Sequence, residues 1–149
     1  MPAFITFGRV LFAVLFIFSG ASKLLDITAT AQMTEKIVLP AALATYTAQL
    51  EGITGMAMPQ MMAIATGALE LICGLMIALN FGARFFAILL ILFVAAATFY
   101  YHDFWNQTGA DARNNLIHAL KNLSIIGALF MIAGYGRTSG TVEAAYGDV

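Results

Sequence analysis

Glu70 stands in the run "ALELICGLMIAL", with apolar residues for several turns on either side. A carboxylate in such surroundings is unfavourable alone and ionised, so it must be protonated or paired. Paired, it locks helices together. Protonated, it can exchange a proton or line a ligand cavity. Arg9 and Lys23, both in the first apolar segment, are the cations that could serve it. A second polar set lies further on. "ATFYYHDFW" closes one apolar run with His102, Asp103 and Trp105, and "NNLIHALKNLS" opens the next with Asn115, His118, Lys121 and Asn122. Asn115, His118 and Asn122 share a helix face, and Lys121 borders it. Such a strip suits a collar facing headgroups at Asn115 and a hydrated cavity at the deeper Lys121 and Asn122. Lys23, Glu70, His102, Trp105, His118, Lys121 and Asn122 are therefore the candidate ligand-binding residues. The candidate structural ion pair is Arg9 with Glu70, and Lys23 is the competing partner.

Other chemistries find no foothold. There is no GxGxxG, P-loop, serine elbow or HExxH, so no catalytic residue is assigned and no intrinsic cofactor is expected. Cys73 is the single cysteine, which excludes an internal disulfide and a CxxC pair; it reads as a small buried residue. His102, His118 and Asp103 do not share one helix face, so no metal or haem site is expected. A net charge of −1 offers nothing to a nucleic acid.

The elements that position these residues follow from composition. Of the 149 residues, 61% are hydrophobic and only 10% charged, too apolar for so short a chain to hide in a water-soluble core. The expected fold is an all-α, four-transmembrane-helix bundle in the lipid bilayer, forming a single integral membrane domain over residues 1–149. About 20 apolar residues span a bilayer, and the candidate spans are residues 4–25, 58–79, 83–101 and 117–135. Four spans put both termini on one side. The first span has the length of a signal-peptide core, and "ATA" at 29–31 resembles a cleavage site. Lys23 and Asp26 lie between them, however, and the first eight residues carry no basic side chain, so a retained helix is expected. "NFGAR" forms a tight turn between the second and third spans. The long first loop holds "PAALATYTAQLE", a candidate short helix with Pro40 at its first position, lying at the interface or capping the bundle. Arg9, Arg84 and Arg137 on one side against Lys23, Lys36, Arg113 and Lys121 on the other leave orientation open. Ala63/Gly67, Gly74/Ala78 and Ser124/Ala128 are small-xxx-small pairs that permit close helix contact, and Ser19, Gly20 and Ala21 act similarly.

The partner of Glu70 stays open at this stage. Counting about 1.5 Å per residue from the span ends, Arg9 lies nearer Glu70 in depth. Helical side chains lean toward their own N-terminus, and in antiparallel neighbours that lean favours Lys23.

The quoted segments add up to a resemblance. "GRVLFAVLFIFSGASKL" (8–24), "ALELICGLMIALNFGARFFAILL" (68–90), "ATFYYHDFW" (97–105) and "IHALKNLSIIGALFMIAGYG" (117–136) resemble the DoxX family of small bacterial membrane proteins, in the family's order and across all four spans. Arg9, Ser19, Gly20, Lys23, Glu70, Gly74, Arg84, His102, Lys121 and Asn122 match positions the family keeps polar or small. The resemblance implies a multi-pass protein of the bacterial inner membrane. The family takes its name from a subunit linked with a thiosulfate:quinone oxidoreductase, so a redox setting is implied as well. Two segments depart from the pattern: the extra "PAALATYTAQLEGITG" and the tail "RTSGTVEAAYGDV".

Two functions of different class follow. One is a non-catalytic membrane subunit that anchors, or passes quinone to, a redox enzyme made of partner chains, with Lys121, His102, Asn122 and Trp105 supplying hydrogen bonds. The other is a small-molecule or proton carrier or channel built on Glu70. Four short helices enclose little room, so it would act as a homo-oligomer. A plain membrane scaffold held by ion pairs is the third reading.

Overall fold

The computed structural model describes residues 2–35, 37 and 39–135; Lys36, Arg137 and the tail from 137 on lie outside the described residues. Within these bounds the regular structure is helical throughout: α1 (Pro2–Leu25), α2 (Ile27–Thr34), α3 (Ala44–Thr54), α4 (Met58–Ala78), α5 (Ala83–Tyr101) and α6 (Gly109–Tyr135), with 3-10 turns at Ala41–Leu43 and Phe104–Asn106. Among the described residues, α1, α4, α5 and α6 are long and apolar enough to cross a membrane. The fold is an all-α membrane bundle.

The boundaries differ from expectation where polar residues continue a helix. α6 begins at Gly109 rather than at 117. Hydropathy marks what lipid accepts, whereas backbone hydrogen bonding does not stop at the polar "GADARNN". Asp111 in the first turn favours the start electrostatically. At 27 residues, α6 is about 40 Å long, against a hydrocarbon layer of about 30 Å. Its first turns therefore rise past the apolar layer.

α2 is a helix that hydropathy did not announce. Asp26 caps it, its Oδ1 accepting the Ala29 N–H at 3.0 Å, the usual role of Asp before a first turn. Its Thr30, Ala31 and Thr34 are buried. The Thr34 hydroxyl donates to the Pro59 carbonyl at 2.9 Å, which ties α2 to the start of α4. Pro40 precedes the 3-10 turn instead of opening a helix, and α3 follows. Gly55 ends α3 in the left-handed region, at φ 67°. Between α4 and α5, Asn80 and Gly82 both adopt φ 56°, and these two left-handed residues reverse the chain within a few positions.

The chain divides into two compact units, Val14–Gly74 and Met1–Ala13 with Leu75–Val149. In the first, Phe16, Ala63, Glu70 and Cys73 are buried with the α2 face. Three glycines let α1 and α4 approach closely. A Cβ on Gly20 would stand 2.5 Å from the Leu71 nitrogen, one on Gly67 3.0 Å from Leu24, and one on Gly74 2.9 Å from Ile17. In the second unit, Ala83, Ala87, Leu90 and Val94 make the buried face of α5, at the spacing of one helix stripe. On α6 only Leu129 is buried. Ser124 is exposed on α6.

Candidate functional site

In the unit Val14–Gly74, the geometry places Lys23 against Glu70. Lys23 Nζ lies 2.9 Å from Glu70 Oε1 and 2.8 Å from Oε2, and it donates to Ser19 Oγ at 2.6 Å. All three ammonium donors are thereby used. Glu70 is only 3% exposed. Ser19 is one helical turn before Lys23, so its hydroxyl is set below the ammonium by the backbone alone. Lys23 also sits in the last turn of α1, where a cation is favoured by the helix dipole.

Depth argued for the wrong cation because the two helices are offset. Gly67 meets Lys23 and Leu24, so residues 58–66 of α4 run about 13 Å past the end of α1. That raises Lys23 to the level of Glu70, and the lean of each side chain toward its own N-terminus closes the gap. Of the two candidate partners, Lys23 is the one found on Glu70. Arg9 belongs to the other unit, and its Nε is buried without a hydrogen-bond partner among the described residues.

In the unit of α5 and α6, a chain of side chains links the end of one helix to the start of the other. Gln107 Nε2 donates to Asp103 Oδ1 at 2.6 Å. Asn115 Nδ2 donates to Gln107 Oε1 at 2.6 Å and to the Asp111 carbonyl at 3.2 Å. Asn115 Oδ1 lies 3.0 Å from His102 Nδ1. The Asn115 donors are spent, so its Oδ1 accepts from His102 Nδ1–H, and this tautomer leaves His102 Nε2 as an acceptor. The His118 ring stacks on His102, with centroids 5.1 Å apart and planes at 11°. Stacked rings aim their nitrogens side by side and do not converge on a common metal position.

The other candidates are more dispersed. Trp105 is half exposed and packs its ring on Phe99 and Phe104. Lys121 is exposed one turn beyond His118. Asn122 Nδ2 donates to Thr98 Oγ1 at 2.9 Å, joining α6 to α5. Asn122→Ala is expected to lower stability by about 0.6 kcal/mol, with about 1.7 as the upper end for such interhelical bonds, read by thermal unfolding in detergent. The candidate set thus separates, with Lys23 and Glu70 in one unit and His102, Trp105, His118, Lys121 and Asn122 in the other.

Three participants escaped the sequence reading as site residues. Ser19 was visible as a residue four before Lys23 but was read as packing. Asp103 stands beside His102 in the polar set of the sequence but is not among its candidate ligand-binding residues. Gln107 had no signal, because its position depends on the 3-10 turn before it.

Comparison with known proteins agrees with this architecture. The DoxX family model matches residues 4–103. That stretch contains Lys23, Glu70 and His102 and stops short of α6, although the resembling segments continue to 136. The chain is also similar to "Inner membrane protein YphA" of Escherichia coli (strain K12). The two are 28% identical over 132 residues, covering 89% of this chain and 82% of that protein. No solved structure matches. With its four apolar helices the protein is a multi-pass protein of the inner membrane, and it belongs to the DoxX family.

Proposed function

We propose that this protein is a non-catalytic subunit of an inner-membrane redox assembly, holding a quinone headgroup at the junction of α5 and α6. The observation that carries the reading is the hydrogen-bonded chain from Asp103 through Gln107 and Asn115 to His102. It fixes the tautomer of His102 and leaves Nε2 free to accept from a quinol hydroxyl. Lys121, whose ammonium donates to no other described side chain, can donate to a quinone carbonyl, and Trp105 adds an indole N–H. Apolar helix surface beside these groups suits an isoprenoid tail. The quinone would supply the redox chemistry when bound; the residues named here bind and orient it, and partner chains supply the electron donor or acceptor. The DoxX family's link with a quinone-reducing enzyme supports the same setting.

A carrier built on Glu70 has less support. Both of its oxygens accept from Lys23, so a moving ion would have to compete with a bound ammonium for the carboxylate.

Purification in a mild detergent, with mass spectrometry of the extracted lipid, tests the proposal. Near-stoichiometric quinone is expected, falling several-fold in His102→Leu and in Lys121→Ala while thermal stability is kept. A protein that emerges free of quinone and of any partner enzyme overturns it.

A further inference from the structure

Helix α3 buries none of its residues. Leu43, at its N-cap, and Tyr46, Leu50 and Ile53 within it follow one another at steps of three, four and three, so they form one stripe. These four are 42–82% exposed. Ala44, Ala48, Glu51 and Gly52 occupy the opposite side. A free apolar stripe of this kind needs an occupant.

The position of α3 identifies that occupant. Glu51 Oε1 accepts the N–H of Met58, the first residue of α4, at 2.7 Å. Thr54 Oγ1 lies 3.3 Å from Met61 Sδ, and the left-handed Gly55 makes the turn between the helices. The last turn of α3 is therefore fastened to the first turn of a membrane-spanning helix. α4 has 21 residues, about 32 Å, and the hydrocarbon layer is about 30 Å thick, so its first turn sits at one face of the bilayer. The far side carries small residues and Glu51, the one charged residue of α3, so it is the level at which the helix is pinned, more than charge, that places its apolar stripe beside the membrane surface.

We infer that α3 rests on the phospholipid leaflet at this face, with Leu43, Tyr46, Leu50 and Ile53 inserted at the boundary between headgroups and acyl chains. The inference goes beyond the quinone reading and does not depend on it. Trp105 is the only tryptophan, so single tryptophans at positions 48, 50 and 53 can be read in a Trp105→Phe background. The full chain is placed in phosphatidylcholine vesicles carrying bromines on the upper acyl carbons. Leu50→Trp and Ile53→Trp should emit at shorter wavelength and be quenched several-fold more by bromine than Ala48→Trp. Aqueous iodide should show the reverse order. Should Trp105→Phe fail to fold, nitroxide labels on cysteines at the same positions, in a Cys73→Ala background, report the same order through oxygen and nickel-complex accessibility. Equal quenching at all three positions overturns the inference. So does protection from iodide at 50 and 53 without bromine quenching, which would assign the stripe to a protein partner.

Discussion

Lys23→Met is expected to destabilise the fold by about 3–5 kcal/mol, because it leaves a buried carboxylate without its counter-charge. The loss should be read as thermal unfolding in detergent. It is large because Glu70 is almost wholly enclosed and takes both of its hydrogen bonds from the one ammonium. Removing both charges is a different experiment. In Lys23→Met/Glu70→Leu no charge is stranded, and apolar replacements of buried pairs are often neutral or better. The double variant should therefore recover most of what the single one loses. A single variant as stable as the parent would show that the pair does not lock α1 to α4.

The second large effect is expected at Gly20. A Cβ there would stand 2.5 Å from the Leu71 nitrogen and 2.6 Å from the Gly67 carbonyl oxygen. Both obstacles are backbone atoms of α4, which cannot swing aside as a side-chain tip can. Gly20→Ala should cost about 1–3 kcal/mol, the range for overpacking, and Gly20→Leu more. Forcing the helices apart also lengthens the Lys23–Glu70 contact, one turn away. Gly20→Ala and Lys23→Met should therefore add to less than their sum, as coupled neighbours do. Gly8→Ala is the control. It lies in the same helix with nothing within 4 Å of its added Cβ, so it should be neutral or stabilising by up to about 1 kcal/mol. Equal losses at Gly8 and Gly20 in the same unfolding assay would remove close packing as the cause.

These two sites also mark what could be read without coordinates. Long apolar runs announce membrane helices strongly, because lipid tolerates almost nothing else over about 20 residues. That made the four spans legible, and with them the isolation of Glu70. The identity of its partner was only half legible. Side-chain lean is a local property of helices and pointed to Lys23. Depth depends on how far one helix slides along another, which is set by tertiary packing at Gly20, Gly67 and Gly74. α2 was hidden because a Thr/Ala stretch has neither a strong period nor strong hydropathy. His102 and His118 can be placed on the same side of the membrane from the span order. Their stacking depends on the starting register of α6, whose polar first turns gave no apolar signal.

The tight link at Asn80 and Gly82 has a consequence for how the protein is made. Residues 79–82 leave so little chain between α4 and α5 that the two are expected to enter the bilayer together as a helical hairpin. Synthesis runs from the N-terminus, so α1 is made before that hairpin. The lysine therefore precedes the glutamate by 47 positions and meets it on insertion. An isolated acidic residue at mid-helix adds about 2.5–3.5 kcal/mol to the cost of leaving the translocon. Capture by Lys23 would offset that cost, which would give the pair a part in assembling the chain as well as in holding its finished form.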